Sequence, residues 1–192
     1  MQSGSSLRGC RRVPAARLCA GFTLVEVLVA LFVVALGIAG AAGLQTLAVR
    51  AGRDAARLSD ATRLARSLAE RMRGNPHALA LPDAANPYLL LDYDAGSGPP
   101  TASGMCYADA CDADALARFD LFEVSGTLAS GFPGGRIRVC RDAVALDAAG
   151  LPPWRCDAQD GAPLVVKLGW RAHGDVATGA PKLILPLAGA AP

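Results

Sequence analysis

The chain has 192 residues, of which 52% are hydrophobic and 19% charged, with 21 Gly, 13 Pro and 6 Cys. That is too apolar for a disordered chain, and it is enough for one membrane segment plus one domain of ordinary size. Arg8, Arg11, Arg12 and Arg17 fall in residues 1–21 without an acid beside them, so the formal charge of +2 hides a slightly acidic remainder; charge gives no support to a nucleic-acid binder.

Residues 1–21 read as a basic targeting leader. After Glu26 the next charge is Arg50, and Val27 to Leu44 contains no polar side chain. About 20 apolar residues carry a helix across a hydrocarbon core. Residues 22–49 are therefore expected to be a retained transmembrane segment, longer than a removable signal core. Small residues such as Ala35, Gly37, Ala39, Gly40 and Gly43 partly follow small-xxx-small spacing, which favours close contact with a neighbouring helix. Glu26 is the one carboxylate at the mouth of this segment. A charge within a membrane span is expensive and functional by default, although the positive end of a helix offsets part of the cost. The bland reading of Glu26 is a solvated acid at headgroup level. Arginines flank both ends of the segment, so the positive-inside rule does not orient it.

The helix is expected to continue through residues 50–74. Leu44, Leu47, Ala51, Ala55, Leu58, Thr62, Ala65, Ala69 and Met72 recur at steps of three and four, tracing one face. Arg50–Asp54, Asp54–Arg57, Asp60–Arg63, Arg66–Glu70 and Glu70–Arg73 stand at ion-pair spacing. Because acids are interleaved, the arginine-rich face reads as a solvated one rather than a lipid or nucleic-acid surface. Gly74-Asn75-Pro76 supplies a C-cap and a breaker. From Thr23 to Arg73 the helix would measure about 75 Å at 1.5 Å per residue.

Residues 75–192 read as a globular domain. Its first stretch, to about residue 105, is rich in proline and loop-like, with Tyr88 to Leu91 as an apolar plug. A short helix follows, capped by Asp112 or Asp114, with Leu116, Phe119, Leu121 and Leu128 available to a core; Val124 to Thr127 interrupts its pattern. Gly134–Asp142 alternates Ile137 and Val139 against Arg136 and Arg138 after a Gly-Gly turn, and Pro163–Trp170 and Pro181–Leu187 are further β-rich runs. Pro186 demotes the last to an edge strand. The expected architecture is α+β: three antiparallel strands packed on the C-terminal half of the long helix.

Cys106, Cys111, Cys140 and Cys156 form an even set beyond the membrane segment, while Cys10 and Cys19 belong to the leader. Zinc sites favour two close Cys pairs or nearby histidines; the second pair here is widely spaced, and His77 and His173 stand apart from it. Disulfides are the better reading, and they place the domain outside the cytoplasm. Four cysteines allow three pairings. Sequence proximity favours Cys106–Cys111 and Cys140–Cys156, the latter closing a loop for about 3 kcal/mol on the entropy model. No nucleophile elbow, P-loop, dinucleotide fingerprint or paired metal ligands appear, and "RAHGD" around His173 reads as a turn. No catalytic residue, metal or cofactor is expected.

The string "GFTLVEVLVAL", Gly21 to Leu31, resembles the class III signal of type IV pilins and their relatives. The resemblance implies cleavage after Gly21 by a prepilin peptidase, N-methylation of Phe22, and a role for Glu26 in subunit assembly against the terminal amine of a neighbouring Phe22. It implies a type IV pilin-like fold. It also implies a single-pass protein of the inner membrane with a periplasmic C-terminal domain, later carried into the pilus. Within that group, this string together with "LAERMRGNP" (Leu68 to Pro76) and a cysteine-containing C-terminal sheet resembles the type IV pilus modification proteins, the PilV kind of minor pilin. Such subunits help prime assembly, with other minor pilins and the major pilin as partners. The alternatives are a type II secretion pseudopilin, which shares leader, helix and sheet, and a membrane-anchored periplasmic binding domain.

Overall fold

In the computed structural model, which describes residues 21–101, 106–107, 110–144, 146–159, 161–172 and 179–187, the first regular element is helix α1, Leu24–Gly74. The chain divides into two compact units, Met1–Ala48 and Val49–Pro192, and α1 contributes to both. In the first unit α1 is rich in Leu, Ala and Val, and all of its side chains there are exposed. Among the described residues, α1 is the helix long and apolar enough to cross a membrane.

In the second unit α1 buries Ala61, Leu64, Ala65, Leu68, Ala69 and Met72, a stripe at helical spacing. This corrects the face drawn from sequence. The stripe keeps Ala65, Ala69 and Met72, but Leu58 is exposed and Thr62 only half-buried. The Thr62 hydroxyl donates to the Leu58 carbonyl (2.8 Å), so it lies along the helix surface at the edge of the stripe. Of the five ion pairs expected along α1, Asp60–Arg63 and Glu70–Arg73 are closed.

Asn75 ends α1 and starts the single turn α2, Pro76–Leu79, its Oδ1 accepting the Ala78 N–H (3.3 Å). Two 3-10 turns follow, Asp83–Ala85 and Pro87–Leu90. Of the expected plug, Tyr88 and Leu91 are buried, whereas Leu90 points to solvent. The loop region also holds a strand that was not expected, β1, Asp92–Asp94. It is too short and acidic to show an alternating pattern. Asp92 is fixed there by a two-pronged contact with Arg136 (3.1 and 3.2 Å).

Helix α3, Ala113–Gly131, runs without a break. Asp112 is its cap, accepting the Ala115 N–H (2.8 Å). Val124 to Thr127 does not interrupt it, because Val124 and Ser125 are buried and the Thr127 hydroxyl satisfies the Glu123 carbonyl (2.9 Å). A tight turn then leads into the sheet. Gly134 adopts φ +56°, and a Cβ on Gly135 would lie 2.8 Å from Leu128 Cγ, so both positions require glycine.

Strands β2 (Arg136–Arg141), β3 (Leu164–Gly169) and β4 (Leu183–Pro186) complete a four-stranded antiparallel sheet in the order β1-β2-β3-β4, where three strands had been expected. Ile137, Val139, Leu164, Val166 and Leu168 share one core with α1 and α3. Every residue of β3 is buried, so its other face, with Val165 and Lys167, is covered as well. The result is the α+β type IV pilin fold: a long N-terminal helix and a small antiparallel sheet.

Candidate functional site

The N-terminal site is built around the first turn of α1. Gly21 to Thr23 precede the helix. The Thr23 hydroxyl accepts the Glu26 N–H (3.3 Å), and the Thr-x-x-Glu spacing is that of a capping box. Glu26 is therefore the third helical residue, held where the helix dipole favours an anion. Phe22, Val27, Ala30, Leu31 and Val34 surround it in an open apolar groove. Phe22 is 81% exposed. Glu26 has no ion-pair partner among the described residues. A Cβ added to Gly21 would meet nothing within 4 Å, so the fold itself does not demand glycine there.

A polar network ties the end of α1 to α3. Arg71 donates to Asp120 Oδ1 (2.8 Å), and Tyr88 donates its hydroxyl to Asp120 Oδ2 (2.9 Å). Asn75 Nδ2 donates to the Ala113 carbonyl (2.6 Å) and reaches the Tyr88 oxygen at 3.4 Å. Asp120 lies on the buried face of α3 with Ala117, Val124 and Leu128. Burial, and then the hydrogen bond to Asp120, push the Tyr88 hydroxyl well above the ordinary tyrosine range. A raised folded-state value means that the stabilisation is complete below the unfolded tyrosine pKa, about 10, and is lost as pH rises past it. The urea midpoint, read from tryptophan fluorescence, should therefore fall between pH 9 and pH 11, roughly spanning that value. Tyr88→Phe should start about 1–3 kcal/mol lower at neutral pH and lose less on going alkaline. Equal alkaline losses in the two proteins would contradict this.

The outer face of the sheet carries a second network. Lys167 is fully buried, and its Nζ donates to the carbonyls of Pro153 and Arg155 (both 2.7 Å) and pairs with Asp142 Oδ2 at 2.5 Å. The ammonium thus has two carbonyl acceptors and one ion-pair partner, and Asp142 Oδ2 depends on that charge because no hydrogen bond of standard geometry reaches it. Asp142 Oδ1 accepts the amides of Asp157 (3.0 Å) and Val144 (3.2 Å). Burial pushes the Asp142 carboxyl up, but the Lys167 hydrogen bond and the two amides outweigh it and hold it below the usual carboxylate range. The same connection is closed by the Cys140–Cys156 disulfide, Cα–Cα 6.3 Å. Cys106 and Cys111 are also bonded, Cα–Cα 5.8 Å, and Tyr107 within that small loop packs edge-on against Phe119 (4.8 Å).

His77 lies exposed on α2, and His173 falls outside the described residues. Among the described residues no group of three or more His, Cys, Asp or Glu is placed to hold a metal. Sequence reasoning did not single out Arg71, Asn75, Tyr88, Asp120, Asp142 or Lys167 as linked. Two signals were there to find: a lone lysine inside the run "PLVVKLGW", and an aspartate at helical spacing from apolar residues.

Residues 43–122 match the family model of type IV pilin Tt1218, and residues 16–42 match the prokaryotic N-terminal methylation motif. The first match contains the whole Arg71–Asp120–Tyr88–Asn75 network; the second contains Gly21, Phe22 and Glu26. No curated protein and no solved structure matches the chain. These matches describe a structural subunit of pilin type, not an enzyme.

Proposed function

From a type IV pilin-like chain with a methylation motif at its apolar end, we propose a minor prepilin of the pilus-modification kind, a PilV-like subunit that helps prime the filament. Residues 22–49 cross the inner membrane once, and residues 75–192 lie in the periplasm. Prepilin peptidase cuts after Gly21, and the new amine of Phe22 is methylated. Glu26 then meets the amine of an adjacent subunit, which is another minor pilin or the major pilin. One observation carries the reading: Glu26 is a carboxylate without a cation of its own among the described residues, set in an apolar groove in the first turn of α1. Covering that groove strands the charge unless the incoming chain brings a positive group. Cleavage at Gly21 creates one of the right sign, four residues away in sequence. The two disulfides suit an oxidising compartment.

N-terminal mass spectrometry on protein from cells with a prepilin peptidase tests the reading. The expected product begins at methylated Phe22, and Gly21→Arg should leave the leader attached. An intact leader on membrane-inserted wild-type protein would refute it. A deletion strain that keeps its pili but loses protein secretion would move the assignment to a pseudopilin.

A further inference from the structure

The geometry points to a phosphate-binding face at the start of the second unit, formed by Arg50, Arg53 and Arg57, whose ligand is the headgroup of an anionic phospholipid. This rests on the reading that residues 22–49 span a membrane. Arg50, Arg53 and Arg57 follow one another at three and four residues along α1, and with Asp54 and Ala172 they line one concave surface. Sequence spacing leads one to expect Asp54 to pair with Arg50 or Arg57. Neither pair is closed among the described residues, although Asp60–Arg63, Glu70–Arg73 and Arg71–Asp120 are closed further along. Three arginines thus share one concavity with one carboxylate, and among the described residues none of the three has an ion pair or side-chain hydrogen bond. Each guanidinium is a planar fork of N–H groups that matches the oxygens of a phosphate.

Position selects the source of that phosphate. Arg50 is the first charge after Glu26. At 1.5 Å per residue the interval is about 36 Å, just longer than a hydrocarbon core of about 30 Å. Arg53 and Arg57 occupy roughly the next 10 Å of helix, at the depth of headgroup phosphates. Long arginine stems reach along apolar surface and leave the charge at the interface. A free phosphate has no reason to be found at this depth, whereas an anionic lipid is held there by its chains.

The test uses the full-length chain in nanodiscs of equal phosphatidylglycerol and phosphatidylcholine, with retained lipids counted by native mass spectrometry. Wild type is expected to retain phosphatidylglycerol over phosphatidylcholine by about tenfold or more. The triple variant R50Q/R53Q/R57Q should fall to near parity. The variant R63Q/R66Q/R118Q removes the same charge elsewhere and should keep the preference. Insertion without lipid preference in wild type, or equal loss in both triple variants, would overturn the site. Displacement of phosphatidylglycerol by inorganic phosphate, but not by chloride at matched ionic strength, would overturn the lipid assignment in favour of free phosphate. A chain that stays in solution beside nanodiscs of either lipid would remove the membrane reading, and this site with it.

Discussion

Lys167→Met should lower the stability of the globular unit by about 3–5 kcal/mol, because it removes one partner of a buried ion pair and leaves the other. Methionine matches the lysine stem in volume and in strand compatibility, so packing is nearly preserved. What is lost is the ammonium. Asp142 Oδ2 remains buried without its cation, and the carbonyls of Pro153 and Arg155 lose their donor. Adding Asp142→Ala to Lys167→Met should recover part of the loss, since no uncompensated charge then remains. The pH dependence gives an independent check. The depressed Asp142 value means that its stabilisation is present above the ordinary aspartate range, about 4, and disappears as pH falls through the still lower folded value. In Lys167→Met the sign reverses: a buried carboxyl without a cation is favoured when protonated, so the gap between variant and wild type should narrow in acid. Trp154 and Trp170, both in the second unit, report urea unfolding by fluorescence. A variant midpoint equal to that of wild type at neutral pH would show that the pair contributes nothing.

Glu26→Gln should leave membrane insertion and leader cleavage intact while cutting entry into the filament by about tenfold or more. Glutamine keeps the size, the helical propensity and the amide partner in the first turn, and drops only the charge. On the proposed pairing, the neighbouring amine would then enter the apolar groove without a counter-ion. Leu47→Gln, on the same helix but away from the first turn, controls for general damage. Piliation is measured together with membrane abundance in a strain carrying only the variant copy. Normal piliation at normal abundance would reduce Glu26 to a solvated acid at the membrane surface.

The features legible in sequence were those with a repeating signature. The uncharged run, the period of α1 and the alternation in β2 each span many residues, so single exceptions do not hide them. What escaped was pairwise. "LAERMRGNP" is conspicuous as a string, but its meaning lies in Arg71 and Asn75, whose partners Asp120 and Ala113 stand 49 and 38 residues later in the chain. Strand β1 exists because Asp92 finds Arg136 across the sheet, and three residues carry no period of their own. The buried stripe of α1 shifted to include Ala61, Leu64 and Leu68 because α3 and the sheet decide which side of an evenly Ala- and Leu-rich helix is covered. In the N-terminal site the sequence signal was dense: Thr23, Glu26 and the groove residues all lie between Phe22 and Val34.

The two edges of the sheet bear on how such a subunit avoids the wrong polymer. Edge strand β1 is three residues long with aspartate at both ends, and edge strand β4 is four residues long and closes on Pro186. Open edges offer unpaired amides and carbonyls to any other strand, and short, charged or proline-ended edges discourage that pairing. A subunit of pilin type packs beside other subunits, and exposed strand edges held close together can pair between chains. Among the described residues, cross-chain β-addition has little to grip at either edge of the sheet, which works against fibre growth through strands.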